Sequence, residues 1–296
     1  MKIVSIIRCT IVLILFGLIP QLRCQSWQWA IPVNNYASNL TTGSSVVDVS
    51  IDKFGNVYAL GNFVDSAQFG TTKVKSGGKN DFYLAKLDAA GNYIWIKDFA
   101  ASYAQDDGFS VTTDSSGDVY VLGFTIGTIN FGGKSLQVLG SSQVAVAKLD
   151  GNGIGQWAKI VDSSGTGPGA LAYSPTGHIY VACDKTLNKY TLTGTLVWSR
   201  LIRTTGVDIF GYRNVTADAS GNVYATGVMS GKIGFGSDTV KSQGYLDRDM
   251  FVVKYDPNGN VLWAKSGGRP SGGPDDYGHA VAVDNQGNVY TAEVGS

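Results

Sequence analysis

Apolar and polar residues alternate along most of the chain after about residue 45, and short polar turns interrupt the alternation. The segments VVDVSID and NVYALG flank one such turn, and FYLAKLD and YIWIK follow as a second pair. Alternation with period two predicts half-buried β-strands, and Asp-x-x-Gly predicts the tight hairpin turns that join them. No stretch after residue 24 shows a sustained helical period. The pattern therefore predicts an all-β chain.

The first hairpin turn recurs along the chain. It reads DKFGNVYALG from Asp52, DSSGDVYVLG from Asp114, SPTGHIYVAC from Ser174, DASGNVYATG from Asp218 and DNQGNVYTAE from Asp284. A second motif, with Lys and Trp nine residues apart, follows four of these copies: Lys86 and Trp95, Lys148 and Trp157, Lys189 and Trp198, Lys254 and Trp263. Such fixed spacing between otherwise divergent residues indicates an internal repeat.

Each repeat unit contains four short predicted strands, which is typical of the blades of a β-propeller. A β-sandwich is the main alternative, but it does not repeat one four-stranded unit so regularly. We expect an all-β β-propeller of four-stranded antiparallel blades, four complete and one incomplete. The expected blades span about 45–98, 109–160, 169–200, 213–266 and, in part, 279–293. Residues 26–32, around Trp29, resemble a lone fourth strand that would close the ring.

The motifs also resemble a known family. DxxGNVYxxG, then FG eleven residues after the Tyr, then DxFxxKxDxxGxxxW is similar to the bacterial SBBP-type β-propeller repeat over nearly all of residues 45–293. The third unit departs from this pattern because it lacks the FG segment. The resemblance implies a large modular cell-surface protein. Because the fifth unit has only two strands, we expect a fragment of a longer protein; a small ring with one defective blade is the alternative.

The N-terminus predicts export. Lys2 and Arg8 precede an apolar run, residues 11–19, which is too short to cross a bilayer as a helix. We expect residues 1–24 to be a signal peptide cleaved after Cys24. A lipoprotein acylated at Cys24 is the alternative, which the neighbouring Arg23 disfavours. The predicted location is extracellular, at the cell surface or in the periplasm.

Composition argues against a nucleic-acid partner, a membrane span and an intramolecular disulfide. Removal of residues 1–24 leaves 20 Lys and Arg against 23 Asp and Glu, so the mature chain has no basic footprint for nucleic acid. No segment after residue 24 is uniformly apolar, and we expect no membrane span. Cys183 is then the single cysteine, which excludes an intramolecular disulfide.

The candidate ligand-binding residues are two pairs of carboxylates before predicted first strands, near the expected channel mouth. They are Asp106 and Asp107, in AQDDGFS, and Asp275 and Asp276, followed by Tyr277, in GPDDYGH. Paired carboxylates could hold a cation or act as acid and base. A solvated loop with turn-forming acids is the alternative. The repeated Asp-x-x-Gly turns lack the six to eight oxygen ligands that Ca²⁺ takes, so we interpret them as structural.

Side chains that recur in every unit are predicted to be framework residues, with the Trp rings in the core between blades rather than serving as sugar platforms. They are Tyr58, Tyr120, Tyr180, Tyr224 and Tyr290 with Trp95, Trp157, Trp198 and Trp263. His178 and His279 are also interpreted as structural. The chain carries none of the linear motifs GxSxG, HExxH, CxxC or the P-loop.

The sequence therefore favours a non-catalytic exported scaffold that binds or adheres at the bacterial cell surface. A protein or glycan partner is expected on the face that carries the long loops, which include residues 62–80, 124–142 and 228–248. No cofactor is expected, although these loops could also accept Ca²⁺. The alternative is a propeller hydrolase or lyase with carboxylates at the channel mouth. The sequence does not determine the oligomeric state.

Overall fold

The chain divides into two units, Met1–Ile31 and Pro32–Ser296. The computed structural model describes residues 29–35, 43–77, 80–99, 101, 105–162, 169–204, 209–243, 248–268 and 275–295. The predicted signal peptide lies outside these residues. In the described part of the chain the secondary structure is entirely β. All features below belong to the second unit unless residues 29–31 are named.

The strands, in chain order, are β1 (Asn34–Asn35), β2 (Ser45–Ile51), β3 (Val57–Phe63), β4 (Ser66–Phe69), β5 (Thr72–Lys75), β6 (Asp81–Leu87), β7 (Tyr93–Phe99), β8 (Asp107–Thr113), β9 (Val119–Phe131), β10 (Lys134–Leu149), β11 (Gly155–Asp162), β12 (Gly169–Ser174), β13 (His178–Cys183), β14 (Thr186–Thr191), β15 (Leu196–Leu201), β16 (Arg203–Thr204), β17 (Ile209–Ala217), β18 (Val223–Met229), β19 (Lys232–Phe235), β20 (Asp238–Lys241), β21 (Asp249–Tyr255), β22 (Val261–Gly267), β23 (Asp276–Val283) and β24 (Val289–Gly295).

Most of these strands form five antiparallel sheets that follow one another along the chain. Sheet 1 is β2-β3-β6-β7, sheet 2 is β8-β9-β10-β11, sheet 3 is β12-β13-β14-β15, sheet 4 is β17-β18-β21-β22, and sheet 5 is β23-β24. Within each of sheets 1 to 4 the strands lie side by side in sequence order. Sheets 2, 4 and 5 begin two to four residues earlier than the expected units, at Asp107, Ile209 and Asp276.

Consecutive sheets pack face to face. Each apolar cluster draws its residues from two neighbouring sheets, and the first strands of consecutive sheets are in contact. One inward position shows this packing well, because it is 4–7% exposed in sheets 2 to 5: Val111, Leu171, Val215 and Val281. The equivalent residue of sheet 1, Val49, is 58% exposed. The stack of described sheets is thus open at its first face.

The same turn joins the first strand to the second and the third to the fourth. In sheet 4, the Asp218 Oδ1 atom accepts hydrogen bonds from the Ser220 amide at 3.0 Å and the Asn222 amide at 2.9 Å, while Asn222 Nδ2 donates to Oδ2 at 2.7 Å. Burial alone would raise the pKa of Asp218, but these hydrogen bonds and one from Tyr224 hold that pKa below its ordinary value. The repeated Asp therefore shapes the turn with both of its oxygens.

Sheet 3 builds this turn with hydroxyl side chains. Ser174 and Thr191 stand where the other sheets have Asp, and the Thr195 amide donates to Thr191 Oγ1 at 3.0 Å. The turn glycines, Gly177 and Gly194, keep positive φ angles of 81° and 83°. The backbone conformation, rather than the carboxylate, is therefore what all copies share.

The FG segments differ from the loops expected at 62–80, 124–142 and 228–248. They form hairpins, β4-β5 and β19-β20, while in sheet 2 the strands β9 and β10 continue through the segment. The hairpins fold back along the sheets toward the turn end, where the Gly155 amide donates to the Gly132 carbonyl at 2.7 Å. Their phenylalanines are buried: Phe69, Phe131 and Phe235. These segments are part of the packed scaffold, and most of their length is not free for binding.

The predicted closing strand at 26–32 has no counterpart in the described residues. Residues 29–33 form no strand, and residues 26–28 lie outside the described part. The first strand, β1, instead pairs with β4 of the first FG hairpin. The short strand β16 pairs with β19 in the same way. Closure of a ring by residues 26–32 stays a prediction.

The positive φ of the turn glycine gives a stability prediction. At Gly177 an added Cβ would have no atom within 4 Å, so Gly177→Ala tests the φ of +81° without a steric clash. We expect this variant to lose about 1–2 kcal/mol of unfolding free energy in urea titrations, because an L-residue is strained there. Gly234→Ala is the matched control, since Gly234 has no positive φ and its nearest neighbours lie at 3.8–3.9 Å. Equal losses in both variants would contradict the proposed role of the turn.

Candidate functional site

Three repeated side chains lie side by side across each of sheets 1 to 4. In sheet 1, Tyr58 pairs with Lys86 and Lys86 pairs with Trp95, on the second, third and fourth strands. We call this arrangement the Tyr–Lys–Trp row. The Lys Nζ lies 4.9–5.7 Å from the centre of the Tyr ring in every row: Lys86 and Tyr58, Lys148 and Tyr120, Lys189 and Tyr180, Lys254 and Tyr224. The ammonium thus gains a cation–π contact within its own sheet.

The row also holds the next sheet. Trp95 Nε1 and Lys86 Nζ donate to the Gly151 carbonyl of sheet 2 at 3.1 and 2.8 Å. Trp198 Nε1 and Lys189 Nζ donate to the Pro257 carbonyl of sheet 4 at 3.1 and 2.8 Å. Each acceptor is the second residue of the turn between the third and fourth strands of that sheet. We call this contact the clasp.

Sheet 2 makes the clasp with a variation. Trp157 Nε1 donates to the Leu192 carbonyl of sheet 3 at 3.1 Å, in the equivalent turn. Lys148 turns instead to two carboxylates of its own sheet, Asp114 at 3.4 Å and Asp118 at 2.8 Å. The indole N–H is therefore the constant part of the clasp in all three interfaces.

A cation two residues after the Trp adds to the contact. Lys159 Nζ donates to the Gly194 carbonyl, and Arg200 donates to the carbonyls of Gly259 at 2.6 Å and Asn258 at 2.9 Å. Lys159 and Arg200 therefore place positive charge at the sheet interface. Their ammonium and guanidinium groups donate hydrogen bonds to backbone carbonyl oxygens of the next sheet.

Sheet 4 repeats the donors but not the contact. Its row is Tyr224, Lys254 and Trp263, and the Tyr224 and Trp263 rings lie 6.3 Å apart, close to the 5.7–6.0 Å of the other rows. No described residue accepts a hydrogen bond from Trp263 Nε1. Sheet 5 has two described strands, which correspond to the first and second strands of the other sheets. The turn between a third and a fourth strand is therefore not among its described residues.

Four of the five predicted framework tyrosines are buried, and the fifth is not. Tyr58, Tyr120, Tyr180 and Tyr224 are at most 1% exposed, whereas Tyr290 is 57% exposed. Tyr290 occupies the same repeat position, and its hydroxyl donates to Asp284 Oδ2 at 3.0 Å. Its strand, β24, has a described neighbour on one side only. Of the tryptophans, Trp198 is buried and Trp95, Trp157 and Trp263 are half-buried.

The predicted carboxylates of sheet 2 separate into one buried and one accessible residue. Asp106 is fully buried, and its oxygens accept hydrogen bonds from the Ala101 amide at 2.9 Å and the Ile126 amide at 3.3 Å. Burial raises the pKa of the Asp106 carboxyl. Asp107 is half-buried and accepts from the side chains of Asn80 and Gln105, the latter at 3.1 Å.

The predicted carboxylates before sheet 5 separate in the same way. Asp276 is 1% exposed, while Asp275 and Tyr277 are half-buried. The Tyr277 hydroxyl donates to Asp275 Oδ2 at 2.9 Å and accepts from Arg248 at 2.8 Å, and Arg248 lies 3.4 Å from Asp275. Asp275 and Tyr277 thus belong to one hydrogen-bonded group with Arg248.

The two places are equivalent in the repeat. The Asp106 amide donates to the Asn80 carbonyl at 2.7 Å, and the Asp276 amide donates to the Arg248 carbonyl at 2.7 Å. The residue after each of these carbonyls begins a third strand and is a buried aspartate, Asp81 or Asp249. Two buried acids recur below the surface, while the residues above them differ. We call these upper groups the display sets: Asn80, Gln105 and Asp107 in one place, and Arg248, Asp275 and Tyr277 in the other.

Sequence reasoning missed Asp81, Asp249, Asn80 and Arg248. A signal for the first two was present, because DFYLAK and DMFVVK begin with the same residue in matching repeats. Asn80 and Arg248 had no such signal, since they precede the strand and differ in type. Their role follows from the backbone contacts with the entry to the next sheet.

Two clefts lie elsewhere. One of about 560 Å³ is lined by the turns of sheets 3 to 5, including Asp218 and Asp284, whose carboxylates already bind their own turns. The other, of about 320 Å³, lies between sheets 3 and 4 beside Arg200 and Tyr255. In neither cleft do the lining residues include His, Cys or Glu. Across the described residues, no group of three or more His, Cys, Asp and Glu side chains could hold a metal ion.

The remaining candidate groups lie apart. His178 belongs to sheet 3, where burial lowers its pKa, and His279 belongs to sheet 5. Cys183 is buried, and burial raises the pKa of its thiol. The described residues contain no helix with the length and apolar character needed to cross a membrane.

Comparison with known proteins gives distant similarities. No protein-family model matches the chain. An uncharacterised WD repeat-containing protein of Acanthamoeba polyphaga mimivirus is 23% identical over 226 residues, which is 74% of this chain but 14% of that protein. A protein of unknown function from Dyadobacter fermentans aligns over 89% of this chain and 83% of its own, with 11% identity and a TM-score of 0.48. Catalytically inactive virginiamycin B lyase from Staphylococcus aureus, solved with quinupristin, aligns over 89% and 96%, with 10% identity and a TM-score of 0.36.

The packing of the sheets decides the fold class. Four-stranded antiparallel sheets follow in chain order, stack face to face and bring their first strands together. The chain is a propeller-like repeat protein. The clasp is a polar contact that recurs in the first three interfaces between its consecutive sheets.

The clasp of this propeller-like repeat protein can be tested with matched tryptophans. Trp95 and Trp263 are both half-buried, but only Trp95 donates to a carbonyl among the described residues. We expect Trp95→Phe to reduce the unfolding free energy by about 1 kcal/mol more than Trp263→Phe, because it leaves the Gly151 carbonyl without one donor. Urea denaturation followed by circular dichroism measures the difference. Equal effects would show that the hydrogen bond adds nothing to ring packing.

The buried acid gives a pH prediction. Because the folded-state pKa of Asp106 is raised, its contribution to stability is present below the unfolded value of about 4 and is lost as pH rises through the folded value. Asp106→Asn removes this titration. We therefore expect the variant to gain stability relative to the wild type as pH increases from about 4 to 7.

Thermal melts across this pH range provide the measurement. Asp107→Asn is the control, since it removes the adjacent, half-buried carboxylate. If the two variants follow the wild type in parallel at all pH values, Asp106 does not titrate as proposed.

Proposed function

We propose that this protein is an exported, non-catalytic propeller-type scaffold that binds a protein or glycan partner at the bacterial cell surface. One observation carries the proposal: the two equivalent places combine the same buried acids with different display sets. A repeated framework that presents varied surface residues is suited to recognition, because the fold is maintained while the contact surface changes.

The framework side chains support this proposal because their polar atoms already form hydrogen bonds within the scaffold. Asp residues of the turns bind their own backbone. The Trp of the row binds the next sheet in the first three interfaces, and the Lys does so in two of them. The display sets are different, since their polar atoms contact one another at a partly exposed surface. Arg248 and Asp275 keep side-chain exposures of 38% and 34%.

The second display set has the chemistry of a protein or glycan contact. Tyr and Arg are enriched among residues that contribute most to binding energy, and a Tyr ring can also pack on a sugar face. The hydrogen bonds among Arg248, Asp275 and Tyr277 hold these side chains before a partner arrives, which reduces the ordering cost of binding. We propose this set as the main contact. The first set, around Asp107, is the place where Ca²⁺ would be tested.

A hydrolase or lyase is not favoured by the geometry. Acid and base catalysis requires carboxylates that reach a substrate, yet Asp106 and Asp276 are buried within the scaffold. The accessible Asp275 is bound to a cation and a hydroxyl, which suits a contact residue. Export rests on the pattern of residues 1–24, and the final compartment is part of the proposal.

Binding can be tested on the purified chain with a glycan array and with a panel of immobilised extracellular proteins, each with and without EDTA. For a partner found this way, we expect the double variant Arg248→Ala, Tyr277→Ala to weaken affinity at least tenfold, because two anchor side chains are removed. Asn285→Ala, Gln286→Ala is the matched control, since these exposed residues lie in a turn of the same sheet.

Melting temperatures of both double variants show whether the fold is intact. Equal affinities of the two variants would place the contact elsewhere. Turnover of a polysaccharide or lactone that Asp107→Asn or Asp275→Asn abolishes without a change in melting would overturn the non-catalytic proposal.

A further inference from the structure

The hydrogen-bond acceptor of the clasp is the same chemical group in every case. In three successive interfaces the Trp indole of one sheet binds the second residue of the turn between the third and fourth strands of the next sheet: Gly151, Leu192 and Pro257. The side chains of these three residues differ in size and chemistry. The contact therefore depends on a backbone carbonyl in a turn of fixed geometry. Any hairpin that carries this turn in this position offers the same acceptor.

Sheet 4 presents a preformed half of the clasp. Lys254 Nζ lies 4.9 Å from the centre of the Tyr224 ring, and Trp263 packs on that ring as the other tryptophans pack on theirs. Both side chains are half-buried, and Lys265, at the position of Arg200 in sheet 3, is exposed. Among the described residues none supplies a carbonyl to Trp263 Nε1. The donors therefore have the geometry of the occupied clasps and lack the acceptor.

Sheet 5 provides the matching strand edge. The second strands of sheets 1 to 4 each pair on both sides, with a first and a third strand, whereas β24 pairs only with β23 in the described part of the chain. Residues Tyr290 to Glu293 are exposed along it, although the equivalent Tyr58 is fully buried beside its third strand. An edge strand of this kind offers unpaired N–H and C=O groups to a further strand.

We propose that sheet 5 accepts a β-hairpin that carries the third and fourth strands of this repeat. Its first strand pairs with β24 and covers Tyr290, and its turn places a backbone carbonyl between Trp263 Nε1 and Lys254 Nζ. The occupant is defined by the pattern D-x-F-x-x-K-x-D-x-x-G-x-x-x-W, whose Lys lies over Tyr290. Continuity with three interfaces that share the indole–carbonyl hydrogen bond supports this occupant over an unrelated protein. The inference is independent of the proposed function.

A hairpin of known sequence serves as the probe. The peptide DMFVVKYDPNGNVLWAKSG, which is residues 249–267 of this chain, contains the full pattern. We expect the fluorescently labelled peptide to bind the full chain saturably in anisotropy titrations. A peptide of the same composition in scrambled order is expected not to bind. Hydrogen exchange of the β24 amides should slow when the peptide binds, because they become paired.

Two variants of the chain locate the contact. Trp263→Phe is expected to weaken peptide binding about fivefold, since one hydrogen bond is lost. Trp95→Phe is the matched control, because its indole already binds Gly151, and it should leave the affinity unchanged. Equal affinities of both variants, or protection of amides outside β24, would overturn the proposal.

A tethered hairpin keeps the proposal testable if the free peptide aggregates. Fusion of residues 249–267 after Ser296 through a Gly/Ser linker is expected to raise the melting temperature, and Trp263→Phe should cancel much of that gain. No rise in melting temperature, together with no saturable peptide binding, would overturn the proposal. Sedimentation velocity tests a different occupant: concentration-dependent dimers that Trp263→Phe dissociates would show that a second copy of the chain fills the site instead.

Discussion

The packing of this protein depends on one backbone carbonyl in each of the first three sheet interfaces. A single repeat unit cannot bury its apolar face alone, so each sheet must be held against its neighbours. Apolar packing is not directional and would allow sheets to slide. The clasp adds direction, because an indole N–H and, in two interfaces, an ammonium group converge on one oxygen. It fixes the turn of one sheet against the row of the preceding sheet.

The clasp also explains why the residues that form the turn recur from sheet to sheet. The carbonyl can accept these hydrogen bonds only if the turn presents it outward in a constant geometry. The glycine with positive φ and the Asp or Thr side chain that binds the turn amides produce that geometry. Turn chemistry and sheet packing are therefore two parts of one arrangement. This coupling accounts for sheet 3, which changes the turn residues at Ser174 and Thr191 and loses its FG hairpin but retains the contacts.

The sequence predicts the strands and their register well, for physical reasons. Period-two alternation determines which side chains share a face, and the constant Lys–Trp separation requires the third and fourth strands to pair identically in each unit. The FG segments were harder to predict, because a polar, glycine-rich stretch is compatible with both an open loop and a hairpin. Their direction is decided by Phe69, Phe131 and Phe235, which are buried only when the hairpin folds back.

The candidate site shows the same limit. Asp106 and Asp107 are adjacent and chemically identical, yet one is buried and the other reaches the surface. Successive residues of an extended chain point to opposite sides, so one of the two must face inward wherever the strand begins. Sequence alone does not give that starting point, which lies two residues before the predicted one. The second buried acid of this place, Asp81, is 25 positions away and was recognisable only from its repeat at Asp249.

The open faces at the two ends follow from the same nearest-neighbour arrangement. The stability of such a stack is a sum of sheet and interface terms, and among the described sheets, sheets 1 and 5 each contact one neighbour only. Val49, exposed where its four equivalents are buried, marks this loss at sheet 1. Sheet 5 loses more, because it has two described strands and no occupied clasp. Among sheets 1 to 5 as described, sheet 5 thus has the fewest strands, and it also carries the Tyr277 group. A partner that binds this group would stabilise the sheet that the repeat itself supports least.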